Sequence, residues 1–439
     1  MIREIKNGKL YFDGCDTTAL AKEYGTPLYV FSESDIESRL AELKRDFTEK
    51  YGNCRVAYAS KAFCSKGMYK LLEKSGFSID VVSGGELAVA MSVDFPADRI
   101  EFNGNNKLPS EIDMAVDYGV RRFILDGTKE LPLIEEACKK YDKKVKVVVR
   151  ITPGVAASTH DYIITGKLDS KFGIPMEYDV LYPLIKSVID SPYTEFQGLH
   201  MHIGSQLFTT KEYLESLEVM LTTATEVKRR YGEDIKEFNL GGGFGVTYTD
   251  EERKPYSFFL DPLMKRIIEW SEDMGMERPK VSIEPGRSIV AEAGITLYTV
   301  GQIKEIKDVR KYVSIDGGMG DNIRVPLYDA VYTGIIANKA EEPCTDKVTI
   351  CGKCCESGDI IIRDLMIPES TEAGDIVAVY TTGAYGYSMA SNYNNCPIPA
   401  SVLVKDGRHA LLIRRQTYEQ IMENQLVPEW LSCTAPTRA

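Results

Sequence analysis

Lys61 stands at the end of an apolar, strand-like run, residues 56–60 (VAYAS). Burial of an unpaired ammonium at such a place is costly and lowers the pKa of the amine. A lowered pKa is what a Schiff-base lysine needs, because only the neutral amine adds to a carbonyl. The alternative is a lysine whose stem packs on the strand while its ammonium reaches solvent.

Other polar side chains also follow apolar runs. Asp80 ends one run, His202 and Ser205 follow another, and Glu284, Gly286 and Arg287 follow a third. A carboxylate such as Glu284, placed against a pyridine nitrogen, keeps that nitrogen protonated and makes the ring an electron sink. The alternative for Glu284 is a structural ion pair with Arg287. His202 is either a core histidine or a ring stacked on a flat cofactor, and its place beside a Gly-Ser pair favours stacking.

A glycine-rich segment, residues 241–245 (GGGFG), follows a further apolar run. Successive glycines let backbone N–H groups approach an anion closely, although such a segment is also common in tight turns. Phosphate sites of (β/α)₈ barrels often use the loops after strands seven and eight. A phosphate bound there, opposite Lys61, is the stronger interpretation.

Eight apolar runs in the first two-thirds of the chain alternate with helical patterns. We expect strands at 55–60, 77–82, 99–103, 121–126, 145–151, 196–203, 236–241 and 280–285. This alternation predicts a (β/α)₈ TIM barrel, an α/β fold whose catalytic groups lie at the C-terminal ends of the strands. Lys61, Asp80, His202 and Glu284 all stand at such ends, so we expect them to converge on one rim.

The pattern changes near residue 290, where strand-like runs follow one another without long helices. Residues 402–404 and 410–413 flank Asp406-Gly407, which predicts a type I′ hairpin. Short strand-like runs also occur at 9–12 and 28–31. We therefore predict a barrel domain over residues 31–290, followed by a β-rich, sandwich- or barrel-like domain built from residues 1–30 and 291–439.

The composition indicates an ordinary globular protein, with 439 residues, 44% hydrophobic residues and a net charge of −12. The acidity argues against nucleic acid and anionic membranes as partners, and no apolar run is long enough to span a bilayer. Ten cysteines in a long chain without a signal peptide indicate reduced thiols and a cytoplasmic location. Cys351, Cys354 and Cys355 lack a second ligand pair at similar spacing, so we predict no metal site.

Four motifs of the chain resemble the fold-type III, pyridoxal-phosphate-dependent amino-acid decarboxylases. They are residues 58–62 (YASKA), 202–205 (HIGS), 241–245 (GGGFG) and 284–287 (EPGR). Segments 25–30 (GTPLYV) and 104–107 (GNNK) extend the resemblance over nearly the whole chain. Residues 324–328 (RVPLY), 355–359 (CESGD) and 383–385 (GAY) are most similar to the branch of this family that acts on meso-2,6-diaminopimelate.

The resemblance implies roles for individual residues. Lys61 would bind pyridoxal 5′-phosphate covalently, His202 would stack on its ring and Glu284 would hold its pyridine nitrogen. Further cofactor contacts, chiefly to the phosphate, are expected from Asp80, Ser205, Gly241, Gly242, Gly243, Gly286, Arg287 and Tyr385. The distal carboxylate of the substrate would be held by Arg287, Arg324, Tyr328 and Tyr385.

The resemblance also implies a homodimer with shared active sites. Cys355 would come from the partner subunit as proton donor, and Glu356 would come with it to bind the distal ammonium. The expected reaction converts meso-2,6-diaminopimelate to L-lysine and carbon dioxide, the last step of lysine biosynthesis.

Three alternatives remain open from the sequence. A decarboxylase for a D-amino acid such as D-lysine or D-ornithine would not need Arg287, Arg324 and Tyr328 together, because its substrate has no distal carboxylate. An alanine-racemase-like enzyme resembles this barrel but places an arginine at the pyridine nitrogen. A non-catalytic homologue would have lost Lys61 or Cys355.

Overall fold

The computed structural model describes residues 3–154 and 170–431. Residues 1–2 and 432–439 of the predicted β-rich domain, and residues 155–169 of the predicted barrel, lie outside these ranges. The first elements are β1 (Arg3–Lys6), β2 (Lys9–Phe12), β3 (Cys15–Asp16), α1 (Thr17–Tyr24) and β4 (Leu28–Ser32). Strands β1 to β3 form a small antiparallel sheet.

A closed parallel barrel of eight strands follows, as predicted. Its strands are β5 (Cys54–Ala59), β6 (Ser78–Val81), β7 (Ile100–Phe102), β8 (Arg122–Leu125), β9 (Val145–Thr152), β11 (Thr194–His200), β12 (Glu237–Asn239) and β13 (Lys280–Ile283), with the short β10 (Ile174–Pro175) paired outside on β9. The pairings β8–β9 and β13–β5 close the ring. The apolar, β-branched runs of the sequence are its buried strands, which suits strands covered on both faces.

Helices precede and surround the barrel. They are α2 (Glu33–Leu43), a π-helical turn (Lys44–Thr48), α3 (Glu49–Tyr51), α4 (Lys66–Lys74), α5 (Gly84–Met91), α6 (Pro109–Tyr118), α7 (Glu130–Tyr141), α8 (Tyr178–Asp190), α9 (Lys211–Tyr231), α10 (Tyr256–Asp273) and α11 (Arg287–Val290). The serines before α4 and α5 cap them, since Ser65 accepts from Met68 N and Ser83 from Glu86 N. Within the described ranges, no helix is both long and apolar enough to cross a membrane.

The last third of the chain is β-rich, as predicted. Its elements are β14 (Gly294–Ile306), β15 (Arg310–Ile315), α12 (Arg324–Tyr328), β16 (Gly334–Ile336), β17 (Cys344–Cys351), β18 (Ile360–Pro368), β19 (Ile376–Val379), β20 (Ala400–Lys405), β21 (Arg408–Ile413) and α13 (Tyr418–Met422). Asp406 and Gly407 both have positive φ, as a type I′ hairpin requires. β4 pairs with β14 and β20, which joins the N-terminal segment to this sheet.

A layer of charged side chains fills part of the barrel interior. Arg122 on β8 donates to Glu101 on β7 over 3.1 Å, and its guanidinium also pairs with Glu237 on β12. Arg55 on β5 approaches Glu101 to 4.0 Å, and the hydroxyl of Ser282 on β13 donates to Glu237. Barrel interiors are usually packed with branched apolar residues, so this paired layer is a distinctive feature of the chain.

Candidate active site

Lys61 lies just beyond the barrel strand that leads to it. β5 ends at Ala59, and a 3₁₀ turn over Ser60–Ala62 carries the lysine side chain over the rim. The side chain of Lys61 is exposed and lines a cavity, whereas Ser60 and Ala62 are buried. The amine is therefore accessible to a bound molecule.

Two cavities meet at this lysine and share it with Phe172, His202 and Glu284. The first, here called the histidine cavity, has a volume of about 300 Å³; its other lining residues are Asp80, Val82, Asn103, Gly104, Asn105, Asn106, Arg150, Lys171 and His200. The second, here called the arginine cavity, has a volume of about 230 Å³; its other lining residues are Ala59, Ser205, Gly243, Phe244, Gly286, Arg287, Ser288, Arg324, Tyr328, Tyr385 and Met389. Most of the predicted site residues are thus brought together.

Glu284, just beyond β13, is a buried carboxylate with several hydrogen-bond donors. Asn239 Nδ2 donates to its Oε1 over 2.8 Å and Asn103 Nδ2 over 3.2 Å, while His200 Nε2 lies 3.0 Å from the same oxygen. Burial alone would raise the pKa of Glu284, but attraction to His200 and His200's hydrogen bond hold that pKa far below its usual range. The lowered pKa and the three surrounding donors both favour the ionised form of Glu284. Arg287 does not pair with it, so the structural ion pair is not formed.

His202 presents a neutral ring to both cavities. Its Nδ1 accepts a hydrogen bond from the backbone N–H of Gly242 over 3.2 Å. Burial, followed by repulsion from Lys61 and Arg150, lowers the pKa of this imidazole well below its usual value. A neutral, oriented ring suits stacking on a flat aromatic molecule.

The glycine segment after β12 is shaped by close backbone approach. A Cβ on Gly242 would overlap the carbonyl oxygen of Glu284, and one on Gly243 would come within 2.5 Å of the Gly204 carbonyl oxygen. The N–H groups of Gly241 and Gly242 donate to Asn239 Oδ1 and His202 Nδ1. Of the three predicted phosphate glycines, Gly243 lines the arginine cavity, whereas Gly241 and Gly242 direct their N–H groups to protein side chains.

Two buried arginines form the other wall of the arginine cavity. Arg287 at the start of α11 donates to Tyr248 Oη over 2.7 Å and to Ser205 Oγ over 3.1 Å, and Arg324 Nε donates to Tyr332 Oη over 3.0 Å. Both guanidinium groups lie over the ring of Tyr385, at 4.8 and 5.4 Å from its centroid. Within residues 3–154 and 170–431, neither arginine forms an ion pair with a carboxylate, which leaves both charges available to an anionic ligand.

Tyr385 connects the β-rich part of the chain to the turn that carries Lys61. Its backbone N–H donates to the carbonyl of Ala62 over 2.9 Å, and Ser388 Oγ donates to the same carbonyl over 3.1 Å. The site is therefore assembled from both the barrel and the β-rich part of the chain.

Cys355 and Glu356 lie apart from both cavities. They are exposed in the loop between β17 and β18, where Cys355 N donates to Asn394 Oδ1 over 2.8 Å. The adjacent Cys354 is half-buried, and burial raises the pKa of its thiol to about 12. Within one chain these two predicted residues are not brought to Lys61.

Four residues around Glu284 and Lys61 have no role predicted from the sequence. His200, Asn103, Asn239 and Arg150 all stand within or at the end of the apolar runs that form barrel strands. Arg150 pairs with Asp126 over 3.0 Å and lies over the ring of Phe172. A charged or amide side chain that interrupts the end of an apolar strand is the signal that identifies such residues.

The histidine and arginine cavities fit a flat, anionic cofactor with a basic ring nitrogen. An amine, a neutral imidazole and a buried carboxylate line both of them. Asp80 Oδ1 and His200 Nδ1 are buried, and neither has a hydrogen-bond partner among the described residues. These two buried polar atoms are therefore available to a polar ligand in the cavity.

Comparisons with known proteins agree with this chemistry. The family described as "Pyridoxal-dependent decarboxylase, pyridoxal binding domain" matches residues 33–291. Diaminopimelate decarboxylase of Bacillus subtilis is 44% identical over 425 residues, with 97% of each chain covered, and that of Staphylococcus aureus is 42% identical, with 96% of this chain and 99% of the relative covered. The crystal structure of diaminopimelate decarboxylase from M. jannaschii in co-complex with L-lysine superimposes with a TM-score of 0.91 at 37% identity, covering 98% of both chains. The chain belongs to the diaminopimelate decarboxylase family of pyridoxal-phosphate-dependent amino-acid decarboxylases.

Proposed function

We propose that the chain removes the carboxyl group from the D-centre of meso-2,6-diaminopimelate, giving L-lysine and carbon dioxide. The observation that carries the proposal is the pair Arg287 and Arg324, whose buried guanidinium groups face the cavity that contains Lys61. Arginines bind carboxylates through parallel N–H donors, and a carboxylate at the far end of the substrate would satisfy both charges. D-Lysine and D-ornithine have no such group, which disfavours them.

The cofactor is pyridoxal 5′-phosphate, which supplies an electron sink for the pair left behind when carbon dioxide departs. We propose that Lys61 binds it through Nζ, that His202 stacks on its ring and that Glu284 holds a proton on its ring nitrogen. Ser205, Gly243, Gly286 and Arg287, which line the arginine cavity, would hold the phosphate, with Tyr385 beside it. Asp80 would contact the ring from the histidine cavity, where it is buried.

Gly241 and Gly242 would act on the cofactor indirectly. Their N–H groups orient Asn239 and His202, so we propose that they position the groups which touch the ring. Tyr328, which lies beside the Arg324 guanidinium, would contact the distal carboxylate together with it.

We also propose a homodimer in which each site takes Cys355 and Glu356 from the partner chain. Both residues are exposed on one chain, outside the cavities. Cys355 would donate the proton that replaces the lost carboxyl group, and Glu356 would bind the distal ammonium. Cys355 suits this role better than Cys354, whose thiol is half-buried.

The proposal extends to domain organisation and location. We propose that residues 31–290 form the cofactor-binding unit and that residues 1–30 and 291–439 form the unit that supplies Arg324, Tyr328, Cys355 and Tyr385. A cytoplasmic location is supported by the cysteines of the described ranges, which are free thiols.

The experiment that tests the function is a substrate comparison on the purified holoenzyme. Carbon dioxide release is measured with meso-2,6-diaminopimelate, D-lysine and D-ornithine, and the chirality of the amino-acid product is determined by chiral chromatography. We expect turnover of diaminopimelate to L-lysine. Faster turnover of D-lysine or D-ornithine would contradict the proposal.

A matched variant tests the distal-carboxylate site. Arg324→Leu should raise KM for diaminopimelate by about 10- to 100-fold, because a buried charge-assisted hydrogen bond is lost. It should leave the covalent attachment of pyridoxal phosphate to Lys61 intact, as measured by borohydride reduction and peptide mass spectrometry. An unchanged KM would show that Arg324 does not bind the substrate.

A further inference from the structure

The imidazole of His200 is directed at Glu284. Its Nε2 lies 3.0 Å from Oε1 and 3.1 Å from Oε2 of this carboxylate, and His200 has no exposed surface. Because an ionised carboxylate only accepts hydrogen bonds, Nε2 carries the hydrogen. The other ring nitrogen, Nδ1, is buried and has no partner among the described residues. The polar contact of this ring is thus with Glu284.

The side-chain amides of Asn239 and Asn103, which also donate to Glu284, are oriented by hydrogen bonds to their oxygen atoms. Asn239 Oδ1 accepts from Gly241 N over 3.0 Å, and Asn103 Oδ1 accepts from Gly104 N over 3.2 Å. Their NH₂ groups are therefore turned to Glu284 Oε1. His200 differs from both amides because its Nε2 bridges the two oxygens and so fixes the plane of the carboxylate.

We propose that His200 is a positioning residue for the decarboxylation: its Nε2–H holds Glu284 as an anion and aims it at the ring nitrogen of the cofactor. The inference rests on the proposed role of Glu284. His200 lines the histidine cavity next to Lys61, Asp80 and His202, so it acts inside the cofactor pocket.

The electrostatics of the pocket agree with this role. Burial alone would raise the pKa of Glu284, and the attraction and hydrogen bond of His200 are the largest of the effects that lower it, ahead of His202 and Glu101. The charged or titratable groups around this pair are Lys61, Asp80, Glu101, Arg150 and His202. Without His200, Glu284 would compete for the proton on the ring nitrogen, and the ring would become a poorer electron sink.

Three substitutions separate this role from simple packing. His200→Gln places an amide NH₂ near the position of Nε2, whereas His200→Asn places it near the position of Nδ1, which has no hydrogen-bond partner in residues 3–154 and 170–431. His200→Leu fills the space without any donor. We expect His200→Asn and His200→Leu to lower kcat by about 10- to 100-fold with a much smaller change in KM, and His200→Gln to recover most of this loss.

A second measurement follows the proton directly. Each variant is reconstituted with pyridoxal phosphate carrying ¹⁵N in the ring, and the ¹⁵N chemical shift reports whether the ring nitrogen is protonated. We expect the shift to move toward that of a neutral pyridine in His200→Asn and His200→Leu, and to remain near the wild-type value in His200→Gln.

Two outcomes would overturn the proposal. The first is a wild-type ¹⁵N shift and wild-type kcat in His200→Leu, or in His200→Asn if the leucine variant does not fold. The second is an equal loss in His200→Gln and His200→Asn with an unchanged ¹⁵N shift, which would mean that His200 only packs. Glu284→Gln, measured in parallel, tests the underlying role: if its ring nitrogen stays protonated, the assignment of Glu284 itself is wrong.

Discussion

Glu284 is a buried side chain that must keep its charge for the proposed chemistry. Glu284→Gln preserves its shape but removes the anion, so the ring nitrogen loses its counter-charge while the phosphate contacts remain. We expect kcat to fall by about 100-fold or more, as when a preorganised electrostatic group is removed, and the affinity for pyridoxal phosphate to change far less. Single-turnover decarboxylation and a fluorescence titration with the cofactor measure the two effects.

Near-normal decarboxylation by Glu284→Gln would contradict this prediction. A matched control is Glu237→Gln, which changes a buried barrel carboxylate that pairs with Arg122 and Ser282. That variant should lower stability rather than change the ring nitrogen, because Glu237 lines neither cavity.

Residues that end an apolar run could be predicted from the sequence, but their neighbours could not. Lys61, His202 and Glu284 stand where a barrel strand must end, and the structure brings them to one pocket. The donors to Glu284 were not predictable. Asn239, for example, donates to Glu284 because its Oδ1 accepts from Gly241 N, which turns its NH₂ group toward the carboxylate. Such an orientation depends on a contact between two strand ends, which periodicity does not report.

At the scale of an element, the role of the glycine segment, residues 241–245, was also only partly predictable from the sequence. A phosphate loop was predicted after β12, and the segment does reach the arginine cavity through Gly243. Two of its N–H groups are nevertheless bonded to side chains of the site. The element is thus a support for Glu284 and His202, and its glycines are required by close backbone approach.

A substitution in this segment tests that role. Gly242→Ala places a methyl group on the carbonyl of Glu284. We expect loss of cofactor affinity and of turnover by at least about 10-fold, because a displacement near 1 Å at a catalytic group is already costly. Gly127→Ala is the control, since a Cβ at Gly127 meets nothing within 4 Å. Equal activity of the two variants would show that the close contact is not required.

Element bounds were predictable where apolar runs are long and uninterrupted. The eight barrel strands lie within a few residues of their predicted limits. The two-residue β3, the three-residue β16 and the four-residue β1 were not predicted, because runs this short carry little periodicity. Their pairing is set by neighbouring strands of the fold.

At the scale of the whole molecule, the proposed shared site makes a prediction about mixed dimers. Lys61→Ala and Cys355→Ala chains should each be inactive, and mixing them should restore about a quarter of wild-type activity, because half of the dimers then hold one intact site. Mixing Lys61→Ala with Glu284→Gln is the control, since both residues belong to the same barrel and no intact site forms. Native mass spectrometry can show whether the subunits exchange. If they do exchange and the activity of the mixture stays at the level of the separate variants, each site is built from one chain.

Global stability should depend on pH through Asp321 in the β-rich part of the chain. Burial raises the pKa of Asp321 from 3.8 to about 7. The folded chain therefore holds this proton more tightly than the unfolded chain, so this group makes stability fall as pH rises from about 4 to about 7. Asp321→Asn should remove this dependence and be more stable than wild type at pH 7.5, by about 4 kcal/mol at most. Urea unfolding of both proteins at pH 4.5 and 7.5 measures the difference, and an equal difference at both pH values would contradict it.

The backbone bond from Tyr385 to Ala62 constrains how this enzyme can be recombined with its relatives. The turn that carries Lys61, the proposed cofactor lysine, and the wall of the arginine cavity are joined by a main-chain hydrogen bond, although more than 300 residues separate them along the chain. A chimera that exchanges only the barrel would take Ala62 from one parent and Tyr385, which donates to it, from the other. We therefore expect a chimera to keep the substrate preference of one parent only when residues 60–63 and 383–389 both come from that parent.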